Sequence, residues 1–454
     1  MKSDVPVPRK RPYEDVCKGC RDQVGVDATR ARVHGLVSWL RENGANIDGL
    51  ECRDDGLGGL GMFATKSFAA GAEIASIPAA LVFTTDAARA TKLGAAAAAL
   101  GAQEELVLWI YMAHGRSDPE HPWHPYLKSL AASQPDPTSW SRDALAPLRA
   151  TPIMRMVTEC KAMLGRDLAR LQSRLPITVS SSEDQALEGL SLQALLWARG
   201  MHLSRCFPAE LATSRHIHIR PDCKEHCGGR GGAKGDSVGC LLPFLDMANH
   251  KAGHQISWEA SDGRVAFKTV SELHPGDEIH NNYGMGRSNE DFLFYYGFAE
   301  LNADWVRNVI TGIVLVFDVS VETALSTHKR LLEEHIPCGL MGSSTLRIGP
   351  FDLVPTVVQS ATGEAETTLL PHELVRALRI VGPDREGQEP DQPSAEALAV
   401  LHASLLGSLA AARLAPEAAS PDFPERAAYV KAYCNGRCHA LEAALSEAEF
   451  LLGY

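Results

Sequence analysis

Strand-like segments in this chain come in two sets held apart by a long helical stretch, and that interruption limits what the chain can fold into. Between Leu50 and Phe83, short apolar runs (Gly61–Ala64, Glu73–Ile77, Leu81–Phe83) are punctuated by Gly and Pro, the pattern of short strands. Thr85–Arg199 then reads as helical: Gln103–Ala113, Pro152–Leu175 and Ser191–Leu203 space their apolar residues at helical intervals, with polar, proline-containing joints such as Ser133–Thr138. Pro208–Gly239 is loop-like around Gly228–Gly232. Strand character returns at Val238–Leu245, Ile256–Ala260, Arg264–Thr269 and Glu278–Asn282, and again at Val306–Val319. The remainder is helical in pattern, with a polar break at Gly382–Ser394 and a last helix over Glu425–Leu452. At the front, residues 1–30 read as a tail, and Val33, Leu36, Val37 and Leu40 as a helix ending near Gly44. No internal repeat is visible.

Composition excludes some partners. Lys plus Arg total 44 against 56 Asp plus Glu, a net charge of −12, so a broad basic surface for nucleic acid is not expected. The longest purely apolar runs, such as Ile313–Phe317 and Ala95–Leu100, are too short to cross a bilayer, so no membrane partner is expected either. Eleven cysteines, an odd number, are scattered through 454 residues with no apolar signal segment at the start, which fits a reducing compartment. Arg9-Lys10-Arg11-Pro12 would serve as a nuclear address, although such basic runs are common in solvated tails, so the expected location is cytoplasm or nucleus. A monomer is expected.

Gly56-Leu57-Gly58-Gly59-Leu60-Gly61 fits the G-x-G-x-x-G string of a dinucleotide site. That motif needs a buried strand before it and a helix after it. Glu51-Cys52-Arg53-Asp54-Asp55 is too polar for such a strand, and Met62–Ile77 carries strand and turn punctuation, so a nicotinamide or flavin site is rejected.

Four separated segments carry more information together than singly. They are Gly58–Thr65 (GGLGMFAT) with Gly71–Pro78 (GAEIASIP), Trp197–Phe207 (WARGMHLSRCF), Leu242–His250 (LPFLDMANH), and Asn281–Phe298 (NNYGMGRSNEDFLFYYGF) with Leu273–Ile279 (LHPGDEI). Trp123-His124-Pro125-Tyr126-Leu127, Trp140 and Leu148-Arg149-Ala150-Thr151 add to them. The set resembles the SET-domain protein methyltransferases, within the group that includes the Rubisco large-subunit lysine methyltransferase and the actin-histidine methyltransferase. The resemblance runs over about residues 31–309.

The resemblance implies an α+β fold: a β-rich SET domain with pseudoknot-like threading over 31–309, interrupted by a helical insertion at about 85–199 and carrying a variable loop at 208–239. A mostly helical substrate-binding domain over 310–454 follows from it. S-adenosyl-L-methionine is the implied methyl donor and a protein the implied substrate. Gly58, Gly59, Leu60 and Gly61 form the turn that cradles the donor, and glycines there let the backbone approach a ligand closely. Arg205, Asn249, His250 and Phe298 are its other expected contacts, Arg205 through a forked pair to the donor carboxylate and Phe298 against the adenine. Asp246 is polar in an apolar run, and either positions the substrate or completes a buried network.

Tyr283 is implied as the catalytic tyrosine and Tyr296 as a wall of the acceptor channel. Methyl transfer from a sulfonium is an in-line displacement, so catalysis is largely alignment. A hydroxyl oxygen orients the electron-poor methyl through weak C–H···O contacts. An apolar channel lowers the amine pKa, and aromatic walls suit methylated ammonium. Arg287-Ser288-Asn289 is assigned to structural hydrogen bonding beneath the site.

Phe207 favours lysine as the acceptor. The histidine-directed relative places an asparagine there to bond the imidazole and lacks a tyrosine where Tyr296 stands. The alternatives are a histidine-directed enzyme and a catalytically inactive protein-binding module. His216, His218, Cys223, His226 and Cys227 in the variable loop, with Cys17-Lys18-Gly19-Cys20, hold metal-ligand residue types, but Cys223 and Cys227 are not a repeated C-x-x-C pair and no metal is expected.

Overall fold

The computed structural model describes residues 23–56, 59–176, 181–213, 216–219, 238–253, 255–284, 287–301, 310–354, 356–359, 365–381, 392–413 and 424–453. A helix over Gln23–Glu42 opens the described chain, so helix begins within the expected tail. It buries Leu36 and Leu40 and stops at Gly44, whose φ of +82° suits a residue without Cβ.

Two four-stranded sheets follow. One takes the order Leu50–Asp54, Leu60–Ala64, Glu278–Asn281, Asn249–His250. Its first two strands form an antiparallel hairpin, which confirms the rejection of a dinucleotide motif, since neither a parallel strand nor a helix flanks the glycines. Met62 pairs with Ile279 antiparallel, whereas Asn249 and His250 run parallel to His280 and Asn281. The second sheet is antiparallel throughout: Glu73–Pro78, Arg264–Thr269, Ile256–Ser261, His216–Ile219. Its central hairpin turns on Asp262-Gly263, both at positive φ (50° and 74°), the two-residue turn whose twist matches the strands.

The insertion is helical as expected. Ser and Thr residues start its helices: Thr84, Thr91 and Ser191 each accept a backbone N–H with the side chain, and Pro152 opens Pro152–Gln172 where its missing N–H costs nothing. Helix Leu192–Leu203 is buried nearly all round. Its His202 ties the insertion to the returning chain, accepting from Trp109 Nε1 on Nδ1 (3.3 Å) and facing the Gly239 carbonyl with Nε2 (3.0 Å). Burial lowers the His202 pKa to about 4. The unfolded chain takes up this proton near pH 6.5 and the folded chain resists it to about pH 4, so stability is full above that window and falls as the pH drops through it. Roughly 3 kcal/mol is at stake. Urea unfolding between pH 7 and pH 4 should show the loss, and His202→Gln should flatten it.

Three sequence expectations change. Val238–Leu245 is not a strand: only isolated bridges form, at Cys240 with Phe207 and at Leu241 with Phe83. Pro243 has no N–H to give to a ladder, Phe244 sits at φ +72°, and Leu245–Met247 is one helical turn. Asn249 and His250 therefore follow a turn rather than an apolar strand. Within Pro208–Gly239, Glu210–Thr213 is helical and His216–Ile219 is an edge strand against Ile256–Ser261, because Ile217 and Ile219 alternate with outward histidines. Beyond residue 309, the helices Val321–Glu333, His372–Val381, Ala395–Arg413 and Pro424–Leu452 share the region with a three-stranded and a two-stranded sheet.

Two hydrophobic cores result, one spanning the insertion and the first two sheets, the other beyond residue 309. Ala395–Arg413 is long and apolar enough to cross a membrane by length and composition, yet Leu398, Leu401, Leu405 and Leu409 pack into the second core. The last helix is shared, with Val430 and Tyr433 in the first core and Ala440, Leu441, Ala444 and Ala448 in the second.

Candidate active site

The two-residue parallel pairing of Asn249–His250 with His280–Asn281 places Tyr283 beside Ala248. The Tyr283 hydroxyl donates to the Ala248 carbonyl at 3.1 Å, and its backbone N–H donates to His250 Nδ1 at 3.1 Å. A ring nitrogen that accepts carries no proton, so Nε2 holds it, 3.5 Å from a Glu300 carboxylate oxygen. The His250 side chain is thereby turned toward Tyr283 and Glu300. Burial pushes the Tyr283 phenol up to about 12, against the pull of the nearby Arg205 charge, so it is neutral at physiological pH.

Aromatic rings enclose this hydroxyl. Tyr296 stacks on Tyr283 with centroids 4.8 Å apart and planes 21° apart. Phe292, Phe298 and His250 continue the wall, Phe298 stacking on Phe292 at 5.0 Å. Tyr296 lies at the end of a wide, π-helical turn, Phe292–Tyr296, a geometry often found at functional sites. Arg287 closes the corner: its Nε donates to the Tyr283 carbonyl at 2.7 Å and its guanidinium lies 5.5 Å over the Tyr296 ring. Ser288 and Asp291 form a reciprocal cap, and Asn289 Oδ1 accepts the Glu300 N–H at 2.9 Å, so this segment supports the wall as the sequence suggested.

Arg205 and Asp246 form the opposite side. Arg205 Nη1 donates to the Asp246 carbonyl at 2.9 Å and lies 3.6 Å from its carboxylate. Tyr126 from the insertion donates its hydroxyl to the same carboxylate at 2.7 Å. Burial raises the Asp246 pKa, with Arg205 and Tyr126 opposing it. Asp246 thus completes a buried network, one of the two roles its sequence position allowed. The Arg205 guanidinium is already partly used, while its Nε and Asp246 Oδ1 are buried with no protein partner.

The glycine turn meets Asn249. Asn249 Nδ2 donates to Glu278 (3.0 Å) and Asp55 (3.3 Å) carboxylates, and the Gly59 N–H donates to Asp55 at 3.0 Å. A Cβ on Gly61 would come 2.6 Å from Glu278 Oε1 and 3.2 Å from Asn249 Nδ2, so a side chain there would push the Glu278 carboxylate from its place beside Asn249. Leu60 begins the strand beside it. Gly58 lies outside the described residues.

Phe207 is placed differently. Its ring packs on Trp258 (5.1 Å) and Phe267 (5.8 Å) in the sheet core, and its ring contacts do not include the tyrosine pair. Among the described residues no three His, Cys, Asp or Glu side chains gather as a metal site; Cys17, Cys20, Cys223, His226 and Cys227 lie outside them. Sequence reasoning assigned no role to Tyr126 or Tyr429, and gave Arg287 structural hydrogen bonding alone. Tyr126 stood inside the Trp123–Leu127 landmark, the one signal that could have found it.

The strands, the helical insertion and this aromatic site together have the SET fold. Residues 59–284, just under half of the chain, match the SET-domain family model. It is similar to actin-histidine N-methyltransferases: 22% identical over 267 residues to that of Xenopus tropicalis, covering 58% of this chain and 42% of the relative, and 23% identical to that of Danio rerio, covering 58% and 41%. The chain spans about two fifths of the length of these relatives. Its fold is that of the SET domain of LSMT bound to lysine and AdoHcy, with a TM-score of 0.67 at 17% identity over 93% of this chain and 91% of that one. Rubisco LSMT bound to AdoMet gives 0.65, also at 17%, over 92% of each.

Proposed function

We propose that the protein is an S-adenosyl-L-methionine-dependent methyltransferase acting on a lysine side chain of a protein substrate. The observation that carries this reading is the Tyr283 hydroxyl: its proton is committed to Ala248, the Arg205 and Asp246 charges act on it, and Tyr296 stacks on its ring. The residues present fit the donor. Gly59 and Gly61 set bare backbone beside the Asp55, Glu278 and Asn249 side chains, with Leu60 between them, Arg205 Nε and Asp246 Oδ1 are buried polar atoms awaiting partners, and His250 and Phe298 belong to the aromatic wall. When bound, S-adenosyl-L-methionine supplies a methyl group activated on a sulfonium. The Tyr283 lone pairs, left free by the direction of its O–H, orient that methyl, and the apolar ring wall keeps the incoming amine neutral.

Tyr296 supports lysine over histidine: a flat, half-buried ring stacked on Tyr283 suits an alkylammonium. Because Phe207 faces the sheet core, the argument that it denies an imidazole its hydrogen bond loses force. Histidine is the second reading, favoured by the names of the sequence relatives. Incubating the purified chain with labelled donor and a protein lysate, then mapping the modified residues by mass spectrometry, decides between them: methyl-lysine is expected, and methyl-histidine alone would replace the lysine reading. Donor affinity, measured with S-adenosylhomocysteine by calorimetry, is expected to fall about tenfold in Asn249→Ala, from loss of an amide that bridges two carboxylates.

A further inference from the structure

The last helix, Pro424–Leu452, reaches the back of the aromatic wall at two points. The Tyr433 hydroxyl donates to the Glu290 carboxylate at 2.7 Å, and both residues are buried, at 1% and 3% exposure. Glu290 belongs to the short turn Asn289–Asp291, which runs directly into Phe292–Tyr296 and so into Tyr296 itself. One helical turn before Tyr433, Tyr429 sets its ring edge-on to Phe298, 6.2 Å between centroids. Phe298 stacks on Phe292 and flanks Tyr283, Tyr296 and His250. Farther along the same helix, Ala440, Leu441, Ala444 and Ala448 anchor it in the second core. One rigid element therefore joins the region beyond residue 309 to the turn that carries the acceptor wall.

We propose that Tyr433 and Tyr429 are positioning residues of the methyl-transfer site: the Tyr433–Glu290 hydrogen bond fixes the turn bearing Tyr296, and the Tyr429 ring backs Phe298. The inference rests on the methyltransferase reading above. It follows from the cost of error in an alignment-limited reaction, where a shift of about 1 Å in a wall residue lowers the rate by roughly a hundredfold. Loss of the Tyr433 hydroxyl removes one of the contacts that hold the buried Glu290 carboxylate, and any shift of Glu290 carries the attached turn with it.

The test separates the two contacts. Binding of S-adenosylhomocysteine is followed by calorimetry, methyl incorporation into lysate protein at saturating labelled donor by scintillation, and melting temperature in parallel. Tyr433→Phe should lower the incorporation rate about tenfold while the S-adenosylhomocysteine Kd stays within about twofold, since the hydroxyl bears on Tyr296 and not on the donor side. Tyr429→Leu should weaken S-adenosylhomocysteine about fivefold, and Tyr429→Phe, which keeps the ring, should restore it. Wild-type rate and affinity in both Tyr433→Phe and Tyr429→Leu would overturn the positioning role while leaving the function intact. Equal losses of rate and affinity that track the unfolded fraction would reduce both tyrosines to structural props and overturn it as well. A wild-type chain that binds no S-adenosylhomocysteine would overturn the methyltransferase reading, and this inference with it.

Discussion

Tyr283→Phe is expected to lower methyl incorporation by about a hundredfold while leaving S-adenosylhomocysteine affinity nearly unchanged. The substitution removes one oxygen and keeps the ring, so the stack on Tyr296 at 4.8 Å and the backbone bond to His250 survive. What disappears is the hydroxyl whose proton is given to Ala248 and whose lone pairs face the remaining space. With the alignment of nucleophile, methyl and sulfur loosened, the reaction slows although binding does not. Single-turnover rates with labelled donor, set beside calorimetric affinities, check the split; unchanged turnover would remove Tyr283 from the chemistry.

Arg205→Ala carries the largest stability effect. It leaves the Asp246 carboxylate, whose side chain is fully buried, with the Tyr126 hydroxyl as its hydrogen-bond donor in place of a cation. Breaking a buried pair in this way costs about 3–5 kcal/mol, and since the arginine side chain is 26% exposed, the lower end, about 3 kcal/mol, is expected at neutral pH. The sign with pH is fixed. Protonated Asp246 no longer needs the cation, so the deficit relative to wild type should shrink as the pH falls toward the acid range. Denaturant midpoints at pH 7 and pH 5 test both statements, and donor binding should be weakened even where the variant is folded.

Much of this arrangement was legible in the sequence, for identifiable reasons. The hairpin at Asp262-Gly263, the helix starts at Thr84, Thr91 and Ser191, and the strands at Ile256–Ser261 and Arg264–Thr269 all depend on local chemistry, which a sequence displays directly. The bridge-and-turn path at Cys240–Met247 was not legible, because an apolar run cannot distinguish a buried strand from a buried turn, and Phe244 adopts a left-handed conformation that its side chain does not announce. The meeting of Asn249, Tyr283 and Gly61 is long-range, and the family resemblance supplied it where periodicity could not. Tyr126 and Tyr429 escaped notice for the same reason, since each acts across a large sequence separation on a partner that composition does not name. Phe207 has neighbours that its residue type did not announce: its ring packs on Trp258 and Phe267.

The pairing of Met62 with Ile279 has a consequence for biosynthesis. A ribosome delivers the first partner more than two hundred residues before the second, so the growing polypeptide must hold an unsatisfied strand edge through synthesis of the whole helical stretch. At translation rates of about 5–20 residues per second, that interval lasts roughly ten seconds or more. Any product that stops short of Tyr283 would expose that edge and have no reactive centre, which makes prematurely terminated chains prone to self-association rather than partly active.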